Sequence, residues 1–309
     1  MATPTEADRV LVVDVSNLAW RSAYAYQLTT ADGRFSGHVF GAVRLLHATL
    51  QNHVEPGRWC VVFCYDGPGG KAHRQAVLPA YKANREAREF NPCTEVAEAL
   101  RLIPGVHAEA PGREGDDAVA WAVAKTKKPA VVLSGDRDLW ALTRHPHVQV
   151  FSPNLKRMVT PQDVLEHYHV TDPERIYLAK ALFGDSSDGI KGVERLLKKQ
   201  VAPHLNNPAV TDVATLYDAV ELAPKEVTTL TTKAKLRDNR ARVEANYAVV
   251  RPLPDGFGPQ TVAFTRATPE NRAAFEALLT RYECKSLVAR AGEFYGAEFY
   301  VDDSPGSEA

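Results

Sequence analysis

The chain has 309 residues, 45% hydrophobic and 24% charged, an ordinary globular composition with enough apolar side chains for a full core. Its 37 Lys and Arg against 38 Asp and Glu leave a formal charge of −1, so bulk charge selects neither nucleic acid nor a membrane surface as partner. The opening MATPTEADR has no apolar targeting core, no run approaches a membrane span, and Cys60, Cys64, Cys93 and Cys284 lack C-x-x-C spacing; export, anchoring, a zinc site and a disulfide framework are therefore not expected, and a cytoplasmic protein is.

In chain order, the first predicted strand is VLVVD, residues 10–14, followed by an amphipathic helical stretch over 37–54. WCVVFCYD, residues 59–66, predicts the second strand, with Cys60, Val62 and Cys64 on one face, and 94–103 predict the next helix. A helix over 116–126 then precedes the third strand, AVVLSGD, residues 130–136. All three strand runs are continuously apolar rather than alternating, as strands covered on both faces of a parallel sheet are. From about residue 160 helical patterns take over. TPQDVLEHYHV opens on a Thr cap with Pro at the first helical position, DPERIYLAKALFG follows, and 271–294 predict one long helix or two short ones. The expected fold is α/β, a central, mostly parallel sheet flanked by helices, in one domain over 1–300 with a mostly helical C-terminal extension and a polar tail over 301–309.

Each predicted strand ends in an aspartate: Asp14, Asp66 and Asp136, with Asp138 two residues farther on. GREGDDAVAW adds Glu114, Asp116 and Asp117 where a helix begins, and FGDSSDGIKG adds Asp185 and Asp188 in a turn. Taken singly, these acids have ordinary explanations. An Asp after a strand caps the next helix, Asp116 and Asp117 suit a helix dipole, and GDSSDG suits a turn held by side-chain hydrogen bonds. Caps do not explain why so many acids meet at the carboxyl edge of one sheet, where loops converge and like charges repel. Divalent cations with oxygen ligands, Mg²⁺ or Mn²⁺, would resolve that repulsion, and a pair of them clamps the two oxygens of a phosphodiester displacement.

Residues 71–88, KAHRQAVLPAYKANREAR, carry Lys71, Arg74, Lys82, Arg85 and Arg88 against Glu86 alone, with Tyr81 interleaved. The segment reads equally as a solvated helix with Lys82 and Glu86 paired at i, i+4 or as a phosphate-binding element offering an aromatic face to an unpaired base. Its place directly after the second acidic strand end favours the latter. Lys191, Lys198 and Lys199 repeat the basic bias later in the chain. His145 and His147 are expected to be packing or surface residues rather than ligands.

The ordered motifs DVSNLAWRS, YDGPGGKAHRQAVLPAYKANR, GREGDDAVAW, SGDRDLWAL and FGDSSDGIKGV resemble, over about residues 10–200, the 5′-nuclease or flap endonuclease family, looking most like stand-alone phage enzymes and the 5′-nuclease domain of bacterial DNA polymerase I. That resemblance implies that Asp14, Asp66, Glu114, Asp116 and Asp117 surround one metal and that Asp136, Asp138, Asp185 and Asp188 hold or support another. It implies a helical arch or gateway over 80–105, in which Lys82 and Arg85 touch the scissile phosphate and Tyr81 stacks near the terminal base. A helical region over 175–250 would then grip duplex DNA. Lys71, Arg74, Arg88, Lys191, Lys198 and Lys199 are the expected DNA contacts.

The implied activity is Mg²⁺-dependent hydrolysis, with Mn²⁺ able to substitute, at 5′ flaps, nicks and 5′ ends in replication or repair, leaving a 5′-phosphate. A monomer is expected, in the host cytoplasm if phage-encoded, with any DNA polymerase partner a separate chain. One departure concerns the family's G-x-x-G-x-G turn, which often binds K⁺. Here Gly189 and Gly192 are followed by VERLLKKQ, so the last glycine is missing and K⁺ binding stays open. A metal-dependent RNase, an aspartyl-phosphate phosphatase and a non-catalytic DNA-structure binder are the rival readings. The phosphatase would need D-x-D after the first strand, where this chain has DVS.

Overall fold

A computed structural model of the chain describes residues 7–55, 57–85 and 90–296. Strand β1 (Arg9–Asp14) runs directly into α1 (Val15–Ala25), and α2 (Gly37–Asn52) packs against α1. Next come β2 (Trp59–Cys64), the short α3 (Ala72–Val77), α4 (Pro92–Leu100), β3 (Gly105–Ala108), α5 (Gly115–Lys125) and β4 (Ala130–Leu133). A 3-10 turn over Asp138–Arg144 leads to β5 (Val148–Ser152), β6 (Arg157–Met158) and α6 (Pro161–Tyr168), which is capped by Thr160 with Pro161 in its first turn. Helix α7 (Ile176–Phe183) feeds a small hairpin of β7 (Gly184–Asp185) and β8 (Ile190–Lys191). The remaining elements are α8 (Lys198–Leu205), α9 (Val213–Leu222), α10 (Leu230–Asp238), α11 (Arg240–Val250), β9 (Val262–Thr265), α12 (Pro269–Arg281) and α13 (Lys285–Val288).

The seven-stranded sheet has the order β6-β5-β4-β1-β2-β3-β9. Its five central strands are parallel, and only the edge strands β6 and β9 run antiparallel. Alternate residues of β1 serve different cores. Val10 and Val12 pack with Cys60, Val62 and Cys64 under α5, α7 and α11, while Leu11 and Val13 pack with Val61 and Phe63 under α1, α2 and α12. Burial on both faces is why these strands read as unbroken apolar runs, and the sheet flanked by helices is as the sequence leads one to expect.

β3, β5 and β9 have no counterpart among the three predicted strands. β3 is a four-residue strand carrying a buried His107, and β9 is an edge strand with Ala263 and Phe264 exposed, so neither shows a strong apolar run. The stretch 271–294 is two helices and a 3-10 turn, broken at Glu283, which adopts a left-handed φ of 53°. Of the expected arch over 80–105, residues 80–85 are turns and a bend and 92–100 are helical; residues 86–89, including Arg88, lie outside the described residues, as does the tail over 301–309.

Candidate active site

β1 and β4 lie side by side at the centre of the sheet, so their carboxyl ends deliver Asp14 and Asp136 to one edge. Asp14 caps α1: its Oδ1 accepts the Asn17 amide at 3.1 Å, and its Oδ2 accepts the Ser134 hydroxyl at 2.8 Å. Asp66, just past β2, accepts from the Ser16 hydroxyl and the Gly115 amide, both at 2.6 Å. A Cβ on Gly115 would lie 3.3 Å from Asp66 Oδ1 and 3.8 Å from Asp14 Oδ1, so glycine here lets the start of α5 close on both acids. Two asparagines fix the loop that carries Asp136. Asn17 Oδ1 accepts the Gly135 amide at 2.8 Å, and Asn154 Nδ2 donates to the Gly135 carbonyl at 3.0 Å.

On the far wall of the cleft, Asp138, Asp185 and Asp188 each offer an oxygen such that all three lie within 4.8 Å of one another. Asp185 Oδ1 is steadied by the Ser187 amide at 2.8 Å and hydroxyl at 2.6 Å, an Asx turn within the β7–β8 hairpin. The cleft has a volume of about 670 Å³ and is lined by Asp116, Asp136, Asp138, Asp185 and Asp188, with Lys82, Arg85 and Lys198 on its walls. Asp14, Asp66 and Glu114 are not among its lining residues, though Asp14 and Asp66 both approach Gly115, next to Asp116.

The electrostatics match an oxygen-rich metal centre. Burial, with the repulsion of Asp66 and Asp116 added, pushes the Asp14 carboxyl up to about 7. Burial likewise raises Asp136 to about 6, with Asp14 and Asp116 contributing repulsion. Carboxylates that resist ionisation because they are buried, with repulsion from neighbouring acids added, are what a hard divalent cation relieves, and an all-oxygen donor set suits Mg²⁺ or Mn²⁺ rather than a soft metal. Among the described residues, Asp138, Asp185 and Asp188 form a group close enough to share one cation, while Asp14 and Asp66 both approach Gly115 at the start of α5.

Three expectations give way. Asp117 is fully buried, and all four of its acceptor positions are filled. Arg74 Nη2 and the Leu253 amide reach Oδ1, both at 2.6 Å, while Arg74 Nη1 at 3.0 Å and the Glu114 amide at 2.9 Å reach Oδ2. It has no lone pair left for a metal. Arg74, expected on DNA, is 2% exposed; besides Asp117 it donates to Glu114 Oε2 and to the Val249 carbonyl, both at 2.9 Å. Tyr81, expected to stack on a base, is equally buried, and its hydroxyl donates to Glu114 Oε2 at 2.8 Å. In each case a buried charge or hydroxyl has found partners inside the fold, as burial requires. Glu114 keeps one lone pair after Lys82 Nζ donates to its Oε1 at 2.6 Å.

Arg85 Nη2 donates to Asp188 Oδ1 at 2.6 Å, and the Lys82 amide donates to the Asp188 carbonyl at 2.7 Å, so the basic segment is stapled to the hairpin. Gly189 makes that approach possible: its φ is 70°, and a Cβ there would lie 2.5 Å from the Ala80 carbonyl oxygen. Lys71, Lys191, Lys198 and Lys199 are exposed, and His145 and His147 lie outside the cleft lining.

Sequence reading missed the positioning residues Asn17, Ser134 and Asn154, which leave no signal in one sequence. It also missed Lys180, whose ammonium lies between Asp138 and Asp185. A lone charge in the apolar run IYLAKALF was the clue.

Residues 9–169 match the family model described as the 5′-3′ exonuclease, N-terminal resolvase-like domain. A thermostable DNA polymerase I of Thermus filiformis is 36% identical over 197 residues, covering 62% of this chain and 23% of that protein. A 5′-3′ exonuclease of Streptomyces coelicolor is 27% identical over 293 residues, covering 88% of this chain and 95% of that one. Among solved structures, T5 5′-exonuclease with bound zinc has a TM-score of 0.59 at 20% identity, covering 93% of this chain and 100% of that one. Flap endonuclease-1 from Methanococcus jannaschii has a TM-score of 0.51 at 13% identity, covering 93% of each chain. These structural likenesses establish the fold. The chain spans 23% and 33% of the lengths of two of the DNA polymerase I relatives it matches, from Thermus filiformis and Thermus thermophilus.

Proposed function

The chain belongs to the 5′-3′ exonuclease family, and from that premise we propose that it is a divalent-metal-dependent 5′-nuclease hydrolysing phosphodiesters at 5′ flaps, nicks and 5′ ends of DNA. The observation that carries this reading is the cleft itself, a space of about 670 Å³ lined by acids from the end of β4, the start of α5 and the β7–β8 hairpin together with Lys82 and Arg85. Relatives named as exonucleases and flap endonucleases support it.

Asp14, Asp66, Glu114 and Asp116 would hold one cation and Asp136, Asp138, Asp185 and Asp188 the other. When bound, such ions supply a nucleophilic water at neutral pH and neutralise charge on the attacking and leaving oxygens. Lys82 and Arg85 bind and orient the scissile phosphate; both already stand at the cleft wall, paired with carboxylates that a metal would otherwise engage. Asn17 and Asn154 keep Asp136 in place by holding Gly135. Lys71, Lys191, Lys198 and Lys199 extend the cationic surface along which duplex or single-stranded backbone would run. No helix among the described residues is long and apolar enough to cross a membrane.

DNA is favoured over RNA because a structurally similar T5 flap endonuclease is seen in complex with DNA, and cleavage is favoured over mere structure binding because binding alone does not require crowded acids. Incubation with a 5′-labelled flap duplex tests it. Cleavage near the junction is expected in Mg²⁺ or Mn²⁺, with binding and no turnover in Ca²⁺ or chelator. Binding without cleavage in either Mg²⁺ or Mn²⁺ would favour a DNA-structure binder, and preferential cleavage of a matched RNA flap would favour the RNase.

A further inference from the structure

Helix α7 reads IYLAKALF and is apolar except for Lys180, which is 6% exposed. Its Nζ pairs with Asp138 Oδ2 and lies 2.7 Å from Asp185 Oδ2. Those two acids, with Asp188, form the group whose oxygens lie within 4.8 Å of one another. We infer that Lys180 is a tethered cation that fills the second metal position in the metal-free protein, must withdraw when a divalent ion enters, and so sets that site's affinity. The inference rests on the metal-dependent reading above.

Charge and geometry lead there together. Asp138, Asp185 and Asp188 gather on one wall of the cleft, and without a cation they would repel one another. The structure supplies two positive groups to that wall: Arg85 on Asp188, from the surface, and Lys180 on Asp138 and Asp185, from beneath. A hard divalent ion such as Mg²⁺ is held directly by carboxylate oxygens. It would therefore claim the same lone pairs that Lys180 occupies and would repel the ammonium. The four-carbon stem of lysine allows the head to swing while the backbone of α7 stays packed. Asp185 is suited to the exchange, because Ser187 holds its Oδ1 while Lys180 reaches only its Oδ2. A lysine serving packing alone would bury its head against one partner away from the cleft; this one bridges two acids of the cleft lining.

Calorimetric titration of the full chain with Mn²⁺, comparing wild type, Lys180→Met and Lys180→Arg, tests the exchange. In Lys180→Met one of two sites is expected to tighten by roughly tenfold, within the ordinary range of coupling between sites, while the other stays unchanged. The same variant should melt a few degrees lower in chelator and gain more from Mn²⁺ than wild type. Lys180→Arg should keep the weak second site. Equal or weaker Mn²⁺ binding by a folded Lys180→Met protein would overturn the inference. If that variant does not fold, acetylation of the wild type decides: labelling of Lys180, read by mass spectrometry, should rise on saturation with Mn²⁺, and unchanged or falling labelling overturns the exchange. If neither wild type nor variant binds Mn²⁺, the metal reading itself fails, a result distinguishable from binding that is indifferent to Lys180.

Discussion

Lys82 reaches both walls of the cleft at once: its Nζ donates to Glu114 Oε1 at 2.6 Å, while its backbone amide donates to the Asp188 carbonyl at 2.7 Å. To do so it holds a left-handed φ of 51°, a conformation that costs a non-glycine residue of order 1 kcal/mol. The lysine is thereby preset between the two acidic groups.

Lys82→Ala should consequently lower turnover on a flap substrate by roughly 100-fold or more, while the Kd for the same DNA in Ca²⁺ changes far less, because a contact strengthened in the transition state acts on kcat. Single-turnover rates and Ca²⁺ binding isotherms check this. A wild-type rate would remove Lys82 from the chemistry.

Arg74→Met tests the internal network. It leaves Glu114 and Asp117 buried without their guanidinium, and breaking a buried pair on one side typically costs about 3–5 kcal/mol. Urea melts should show a loss of that order, and the DNA affinity of the folded fraction in Ca²⁺ should show no loss of a surface phosphate contact. A small change in stability with a marked fall in affinity would return Arg74 to the DNA-binding surface.

Asp136→Asn should separate stability from activity. Its carboxyl is raised to about 6, largely by burial with the repulsion of Asp14 and Asp116 added, so removing the charge should stabilise the metal-free protein at pH 7 by about 0.5–1 kcal/mol while cleavage in Mg²⁺ falls at least about tenfold. Differential scanning calorimetry in chelator and a rate measurement together check both halves. A destabilised protein with normal rates would contradict them.

How much of this was legible in one sequence depended on how local the physics was. β1, β2 and β4 announced themselves because burial on both faces makes a run such as VLVVD uniformly apolar. The acids after them were recognisable by position alone. Asp116 and Asp117, adjacent in sequence, could not be told apart: one helical step turns a side chain by about 100°, which points Asp116 at the cleft and Asp117 at Arg74. Arg74 looked like one more cation on a solvated face because its partners lie 40 or more residues away, at Glu114, Asp117 and Val249. Tyr81 was misplaced for the same reason. β9 was missed because it is short and at an edge, where half its surface faces solvent.

The sheet also carries a pH-linked term remote from the site. His107, in β3, stacks on Phe63 and bonds Tyr65 through Nδ1 at 2.9 Å; burial, aided by Arg101, lowers its pKa from 6.5 to about 3. Between those values the unfolded chain holds a proton that the folded chain lacks. Its contribution is thus complete above about pH 6.5 and declines as pH falls toward 3, by at most about 1.4 kcal/mol per pH unit. Urea stabilities from pH 7.5 to 5 should fall more steeply for wild type than for His107→Gln, and parallel profiles would contradict the assignment.

Anomalous diffraction from crystals soaked in Mn²⁺ tests most directly whether the gathered carboxylates hold two divalent cations. Two peaks are predicted, one among Asp14, Asp66, Glu114 and Asp116 and one among Asp136, Asp138, Asp185 and Asp188. A fully occupied soak with no peak in the cleft, or with peaks only elsewhere on the surface, would contradict the two-cation reading.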